Sequence, residues 1–452
     1  MQLDITQEFI DELKAYIADQ NEGKVLEILD ALHPADIAAI YDDLDIEEAR
    51  YTYLLLDPKV ASDVLVELEE EQRTRFLKVI PSELIAHQFI ENMDSDDAAD
   101  IIQEMTDDKR EDVLNYVKDN EQAGDIVDLL NFEGNTAGGL MAKELIAINE
   151  NLTLKEALGE LRDQAQDIDE IYYLYVIDDD NKLLGVVSLK DLLFKPTTSK
   201  VSALIESDII SVRTDTDSEE VAQIMEKYDL VALPVVDSIG RLAGRITIDD
   251  VVDVIREEAE RDYQLISGIT HDVEPTDNVW TQVKSRIPWL LIGLFGGIMG
   301  ALVIGYYEGD LAKYAGIALF LPLIAAMGGN AGVQSSAIIV QGLAGGTMDI
   351  RKTSHRLIKE MSVGILNGLI CSSLIFSYNL IFSESFALTI SVSIALFIVI
   401  IFATTFGALV PLILERFKID PALATGPFIT TFNDIMGLMI YLMLARMIFN
   451  MV

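Results

Sequence analysis

The chain has 452 residues, half of them hydrophobic, and a formal net charge of −42 at pH 7. This length has room for about three domains, and the excess of 75 acidic over 33 basic residues argues against nucleic acids and anionic lipid surfaces as partners. The single cysteine, Cys371, cannot form an intrachain disulfide. The first residues lack a basic stretch followed by an apolar core, so we expect no signal peptide.

Residues 1–130 predict an acidic domain of helical repeats. A hydrophobic residue recurs every 12 positions, with one residue inserted after the fifth. The recurring residues are Leu32, Leu44, Leu56, Leu68, Ile80, Met93, Met105 and Val117. Such a period is typical of short helices that stack into a solenoid, each burying one face against its neighbours.

Two copies of one motif follow at an offset of 59 residues. The matching segments are Tyr175-Val176-Ile177-Asp178 and Gly185-Val186-Val187-Ser188 in the first copy, and Pro234-Val235-Val236-Asp237 and Gly244-Arg245-Ile246-Thr247 in the second. Each copy predicts a strand, a turn, a strand and a helix, with another helix upstream. The duplication resembles a tandem pair of CBS domains, which we place at residues 131–196 and 197–254.

A Ser/Thr-x-x-Asp motif begins the last helix of each copy. It comprises Ser188 and Asp191 in the first copy and Thr247 and Asp250 in the second. One interpretation is a helix N-capping device. In nucleotide-binding CBS domains the matching residues hold a ribose, so binding of ATP or another adenine nucleotide is the alternative.

Residues 249–262 predict an acidic helix that leads into a connecting segment at residues 255–284. Asp250, Asp253 and Glu257 share one face of this helix. Without cations, this face and the acidic solenoid would repel each other. Multivalent cations would supply the missing counter-charge best.

Residues 285–452 predict an all-α domain with five membrane-spanning helices. Apolar stretches of about 20 residues, the length that crosses ~30 Å of hydrocarbon, begin near Pro288, Tyr314, Met361, Phe386 and Pro421. Basic residues concentrate in the loops after the second and fourth spans. The positive-inside rule therefore places these loops and the soluble half in the cytoplasm and the C-terminus outside the cell membrane. An odd number of spans without evident duplication favours a pore between subunits of a symmetric oligomer.

Asp434 is the one acidic or basic residue that we place near the middle of a span. A carboxylate at this depth costs several kcal/mol unless it faces water, a cation or a partner, so it indicates a functional site. Gly426, Thr430 and Asp434 share a helix face that suits a narrow, wet path. The alternative is a protonated or hydrogen-bonded Asp434 in a buried interface.

The second span contains Gly328, Asn330 and Gln334 among many small residues. Close helix packing is one explanation. A pore-lining role for these three residues, together with Gly426, is the other. Carboxylate, amide and hydroxyl oxygens are hard ligands that suit Mg²⁺ or Ca²⁺. Two Asp434 carboxylates on the axis of a dimer would fit a hydrated Mg²⁺ better than the many direct oxygens that Ca²⁺ prefers.

Solenoid, CBS pair, acidic helix and five spans, in this order, resemble the MgtE family of homodimeric magnesium channels over essentially the whole chain. The most specific segments are residues 327–334, 420–434 and 249–254. The resemblance implies that Asp434 is the pore site for hydrated Mg²⁺ at the dimer interface. It further implies that Thr430 contributes there and that Asp420 lies near the cytoplasmic mouth.

The same resemblance implies sites that sense cytosolic Mg²⁺. The matching positions are Asp63, Asp96 and Asp100 in the solenoid, Asp217, Glu219 and Asp229 in the second CBS copy, and Asp250, Asp253, Glu258 and Asp262 on the connecting helix. Two residues depart from the family pattern. Gln341 stands where relatives usually have an arginine, and Arg261 replaces an expected glutamate, which would weaken one sensor site.

These features predict a Mg²⁺-selective influx channel that closes when intracellular Mg²⁺ binds the acidic cytosolic domains. A secondary transporter that couples a divalent cation to Na⁺ or H⁺, with Asp434 as the coupling site, is the alternative. An enzyme is disfavoured because no span carries His-Glu-x-x-His or a similar constellation.

Overall fold

The computed structural model describes residues 5–451 except 166–167, 169–170, 271–272, 274–277, 345–352, 384 and 425. It divides into two compact units, Met1–Ile255 and Arg256–Val452, and each unit is described by itself.

The first unit begins with ten short helices. They are α1 (Gln7–Ala18), α2 (Glu22–Leu29), α3 (Pro34–Ala39), α4 (Ile46–Leu55), α5 (Pro58–Val66), α6 (Glu70–Val79), α7 (Ser82–Gln88), α8 (Ser95–Gln103), α9 (Asp107–Tyr116) and α10 (Asn120–Leu129). The predicted 12-residue period is confirmed, and its residues lie at the helix junctions. Leu56, Ile80 and Val117 each follow the last residue of a helix in an extended conformation, and all three are buried.

Side chains of later repeats cap the helix ends of earlier ones. Lys109 Nζ donates to the carbonyl of Ile80 at 3.0 Å, and Gln122 Nε2 donates to the carbonyl of Ile90 at 2.9 Å. The last carbonyls of a helix have no partner within it. These bonds satisfy such carbonyls and tie each repeat to the one about 30 residues before it.

Each CBS copy forms a three-stranded sheet. The first contains β1 (Ile146–Asn149), β2 (Leu174–Ile177) and β3 (Leu183–Val187) with helices α11 (Leu154–Gln164) and α12 (Leu189–Phe194), and the second contains β4 (Val212–Arg213), β5 (Ala232–Val236) and β6 (Leu242–Thr247) with α13 (Ser218–Tyr228). In both sheets the first strand pair is parallel and the second antiparallel. The duplicated sequence therefore folds twice with one topology.

The two copies exchange the segments that precede them. Ala142 N donates to the carbonyl of Arg245 in the second sheet at 2.8 Å, and Glu206 N donates to the carbonyl of Val186 in the first sheet at 2.9 Å. A boundary at residue 197 separates the two copies in the sequence. In the structure, the chain after α12 folds back onto the first sheet, so residues beyond this boundary still pack with the first copy.

The remaining helices run from the end of the second CBS copy to the last described residues. They are α14 (Ile248–Ile266), which begins in the first unit and ends in the second, α15 (Val279–Tyr306), α16 (Glu308–Lys313), α17 (Leu321–Ala344), α18 (Thr353–Phe382), α19 (Phe386–Arg416) and α20 (Gly426–Met451). Within the described residues, five helical segments are long and apolar enough to cross a membrane, as predicted. The fourth, α19, is the most buried, and α15 and α18 are the most exposed.

Three spans begin elsewhere than predicted. Pro288 lies inside α15, α18 begins eight residues before Met361, and α20 begins after a 3₁₀ turn, Pro421–Ala424. Helices extend beyond their apolar stretch wherever caps and propensity permit. At α15, for example, the Asn278 side chain accepts from the backbone N–H of Trp280 at 3.0 Å.

Candidate metal centres

An acidic cluster surrounds the first turn of α8. Asp96 is 9% exposed, and carboxylate oxygens of Asp94, Asp96 and Glu144 lie within 4.8 Å of one another. Glu144 is held in place by Ser95, whose backbone N–H and hydroxyl donate to its two oxygens at 3.1 and 2.8 Å. Residues 50 positions apart in the sequence thus present three carboxylates to one point.

The first turn of α14 adds further carboxylates to this cluster. Asp250 accepts hydrogen bonds from the backbone N–H and the hydroxyl of Thr247 at 3.1 and 2.7 Å, which is the reciprocal half of a capping box. Its charge is felt by both Asp96 and Asp97. Asp96 and Asp250, two of the predicted sensor residues, are therefore brought together although they are 154 positions apart in the sequence.

Burial and mutual repulsion make these carboxyls hard to ionise. Burial, reinforced by Asp250, raises the pKa of Asp97 to about 7 and the pKa of Asp96 well above its ordinary value. Burial also raises the pKa of Asp250 to about 6 despite its hydrogen bonds to Thr247. One cation, Arg245, lies 3.9 Å from Asp94. The cluster is short of positive charge, and its oxygen donors are the kind that Mg²⁺ prefers.

We expect Mg²⁺ to stabilise the protein more at pH 8 than at pH 5. Asp97 and Asp250 keep their protons to higher pH in the folded state than in the unfolded chain, so the metal-free protein loses stability as pH rises from about 4 through 7. Mg²⁺ bound at the cluster would replace those protons. The rise in melting temperature of the full chain on adding MgCl₂, measured at both pH values, checks this; an equal rise would contradict it.

Other predicted sensor residues are near the cluster or apart from it. Asp100 and Asp253 are exposed, and their charges raise the pKa values of Asp97 and Asp250, respectively. Asp63 is exposed on α5.

Glu144 was missed, as were Asp94 and Asp97, although the last two belong to the acidic run that pointed to Asp96. No sequence signal marks Glu144, because only the folded chain places it beside α8.

The predicted set on the second CBS copy does not converge within one chain. Asp217 caps the start of α13, and its side chain accepts from the backbone N–H of Glu219 at 3.0 Å. Asp229 ends the same helix in the left-handed region. Eleven helical residues span about 16 Å, so Asp229 cannot share an ion with the other two in the same subunit.

A second group of carboxylates lies in the second unit, where α14 ends. Burial, followed by the charges of Asp420 and Glu258, raises the pKa of Asp262. Arg261 forms an ion pair with Glu258 at 3.4 Å, so the arginine at the expected glutamate position engages one predicted ligand. Asp262 and Asp420 therefore remain the stronger candidates for a cation here.

Asp434 borders α17 at a glycine. A Cβ atom on Gly329 would lie 3.2 Å from Asp434 Oδ1 and equally close to Thr430 Cγ2. The Thr430 hydroxyl donates to the carbonyl of Gly426 at 3.0 Å. A Cβ on Gly426 would overlap the carbonyl oxygen of Ile266. The predicted stripe thus starts against the last turn of α14 and leads to the half-buried carboxylate.

The remaining pore candidates divide into two groups. Asn330 and Gln334 are exposed on α17. Gly328 is buried instead, and a Cβ there would lie 3.1 Å from Val399 of α19. We therefore correct Gly328 from a pore-lining residue to a packing residue. The composition of α17 does not show which of its glycines face a neighbouring helix.

Glu360 was missed as a carboxylate within a span. It is 5% exposed and accepts a hydrogen bond from the hydroxyl of Ser335 on α17. Because α18 starts before the apolar stretch does, Glu360 lies on the eighth residue of that helix. Asp434 is therefore not the only acidic side chain inside the helix bundle.

The candidate nucleotide residues lie outside the cleft between the CBS copies. Ser188 accepts from the backbone N–H of Lys190 at 3.2 Å and caps α12. That cleft is lined instead by Leu145, Ile146, Ile168, Ile171, Tyr172, Tyr173, Tyr175 and Arg245. Tyr172 also packs against Arg245, whose guanidinium lies 5.7 Å from the ring centre.

Comparison with known proteins agrees with this architecture. Residues 321–444 match the MgtE divalent cation transporter family, residues 32–135 its intracellular N domain, and residues 137–196 and 201–257 the CBS domain. The chain is similar to the cytosolic domain of the Mg²⁺ channel MgtE in complex with ATP, at 35% identity and a TM-score of 0.51 over 54% of this chain and 99% of that one.

Full-length relatives cover nearly all of the sequence. The magnesium transporter MgtE of Thermus thermophilus is 35% identical over 94% of this chain and 95% of its own length. That of Bacillus subtilis is 34% identical over 94% of both. With its N domain, paired CBS domains and five apolar helices in the same order, the chain belongs to the MgtE family of magnesium transporters.

Proposed function

We propose that the protein is a homodimeric Mg²⁺ channel that admits Mg²⁺ into the cell and closes when cytosolic Mg²⁺ is high. The observation that carries the permeation half is Asp434, a half-buried carboxylate beside Gly329 in the helix bundle. Such a group at membrane depth needs water, a cation or a partner. Hydrated Mg²⁺, which binds through one or two carboxylates and keeps its waters, meets that need.

The exposed amides support a second subunit. Asn330 and Gln334 lie on the surface of a single chain's bundle, where lipid would leave their polar groups unsatisfied. A second copy packed against this face of α17 would cover both amides and bring two Asp434 side chains to one axis. The pore would then lie between subunits, with the soluble half in the cytoplasm and the C-terminus outside.

The gate would use α14 as its moving part. Its first turn carries Asp249 and Asp250 of the acidic cluster. Its last turn places Leu265 in a buried contact with Val340 of α17 and Ala422. Mg²⁺ bound at the cluster would hold the start of this helix and thereby keep its end seated on the pore helices. Loss of Mg²⁺ would restore repulsion at the cluster and release it.

The free energy that such a gate requires is within the reach of Mg²⁺ binding. A shift from 1:99 to 99:1 requires about 5.5 kcal/mol of differential Mg²⁺ binding, which several weak sites can supply together. Influx needs no ATP, because each charge that crosses a potential of 100 mV gains about 2.3 kcal/mol.

Uptake into proteoliposomes tests the proposal. With an inside-negative potential and neither a Na⁺ nor a pH gradient, the full-length protein should take up Mg²⁺. Uptake that appears only when a Na⁺ or pH gradient is imposed would reject the channel and establish a coupled transporter.

We also propose that the first CBS copy binds ATP and the second does not. In the second copy, Asp250 is bonded to Thr247 and surrounded by carboxylates that repel phosphates. In the first copy, Lys190 and Lys195 flank Asp191. A similar cytosolic domain has been solved in complex with ATP.

Asp191→Ala should weaken ATP binding about tenfold or more, the usual cost of losing a charge-assisted hydrogen bond. Asp250→Ala, the matched change in the second copy, should leave the affinity within about twofold. Calorimetric titration of the full chain with ATP checks both, and the reverse order of effects would contradict the assignment.

A further inference from the structure

Asn433, the residue before Asp434, is a buried amide without hydrogen bonds. Its side chain is 1% exposed, and neither Oδ1 nor Nδ2 has a partner among the described residues. Within that part of the chain, it is the one side chain in which two buried polar atoms lack partners. An unpaired buried polar group disfavours the state that contains it by roughly 5- to 150-fold.

The amide lies where three helices meet. A Cβ atom on Gly332 of α17 would overlap Asn433 Nδ2 and lie 2.9 Å from Ile429 Cγ2. On the other side, a Cβ on Gly407 of α19 would overlap the carbonyl oxygen of Gly332. The backbones of α17 and α19 are thus in contact beside the unpaired amide.

Asn433 and Asp434 contact the same helix at neighbouring glycines. Asp434 Oδ1 is 3.2 Å from the Cβ position of Gly329, three residues before Gly332. Any shift of α20 along or away from α17 therefore changes both contacts together. One contact involves the pore carboxylate, and the other involves a side chain that gains hydrogen bonds when the contact opens.

We propose that Asn433 is a positioning residue of the pore, whose unpaired amide biases the pore domain away from its closed arrangement. This inference rests on the proposed function, in which the pore is closed when Leu265 is seated against Val340 and Ala422. When α20 moves from α17, the Asn433 amide reaches water or a backbone carbonyl, and the contact of Asp434 with Gly329 changes with it. The equilibrium shifts because only one of the two states contains the unpaired amide.

Asn379 offers a matched control. It is also 1% exposed, and its Nδ2 has no partner in the described part of the chain. It lies three residues from the end of α18, on a helix that carries neither Gly332 nor Asp434. A purely structural effect of removing a buried amide would be seen at both positions.

The test compares Asn433→Leu and Asn379→Leu in the full-length protein. Both should raise the melting temperature. Asn433→Leu alone should lower Mg²⁺ uptake at low internal Mg²⁺, by roughly 5- to 150-fold, and should lower the Mg²⁺ concentration that gives half of the Mg²⁺-induced rise in melting temperature. Gly332→Ala, which forces the closed contact apart, should shift that concentration upward.

Uptake by Asn433→Leu within twofold of the parent protein, or an equal loss in Asn379→Leu, would overturn the inference. Failure of the proposed function would look different, because the unaltered protein would then show no uptake under an inside-negative potential. The melting measurements do not depend on transport, so they report on Asn433 in either case.

Discussion

Asp434→Ala is expected to lower Mg²⁺ uptake roughly 100-fold, the scale of removing one member of a desolvated charge pair. In a dimer the change removes both carboxylates from the axis at once. Thr430 and Gly426 would remain, but a hydroxyl bonded to a helix carbonyl carries no charge to offset that of a dication. Uptake of Mg²⁺ into proteoliposomes under an inside-negative potential measures the effect.

Asp310→Ala is the matched control for this change. Asp310 also lies in the second unit, but in α16, where it forms an ion pair with Arg446 at 3.5 Å. Its loss should leave uptake within about twofold, since an ion pair that is open to solvent on one side contributes little. Sustained uptake in Asp434→Ala, or equal loss in both variants, would contradict the assignment of the pore site.

Joint replacement of Asp96 and Asp250 by asparagine is expected to keep the channel open at internal Mg²⁺ concentrations that close the unaltered protein. Asparagine removes the charges that would bind Mg²⁺ at the centre of the cluster. It also removes two costs of the metal-free state, the burial of charged carboxylates and their mutual repulsion. The metal-free variant should therefore melt at a higher temperature than the metal-free parent and respond less to MgCl₂.

Asp108→Asn with Asp112→Asn provides the same change of charge on α9, where both side chains are exposed. This control should close normally, because surface charges of the solenoid are screened by water and salt. Normal closure of the Asp96 and Asp250 variant would contradict the sensing role of the cluster. So would a control that stays open.

Features that follow from local periodicity could be predicted from the sequence. The 12-residue period predicted a stack of short helices, and in the structure its residues Leu56 and Ile80 each follow a helix and are buried. The offset of 59 residues predicted two sheets of one topology. Asp96 and Asp250 could be identified from the family resemblance, and the structure brings them together.

Features that depend on which elements meet could not be predicted. Glu144 joins the cluster only because Ser95 holds it. Gly328 and Asn330 are two residues apart in a stripe of similar composition, yet one packs on α19 and the other is exposed. Glu360 was overlooked because an apolar stretch does not show where its helix begins. Each of these outcomes is decided by tertiary contacts that a single sequence does not display.

Each CBS copy is hydrogen-bonded to the segment that precedes the other copy, and these bonds restrict how the two copies can move. Separating the copies would break two backbone bridges, one between Ala142 and Arg245 and one between Val186 and Glu206. The two CBS copies should therefore respond to ligands as one rigid body. In the proposed function, the movement on loss of Mg²⁺ would then fall to α14 rather than to the contact between the two copies.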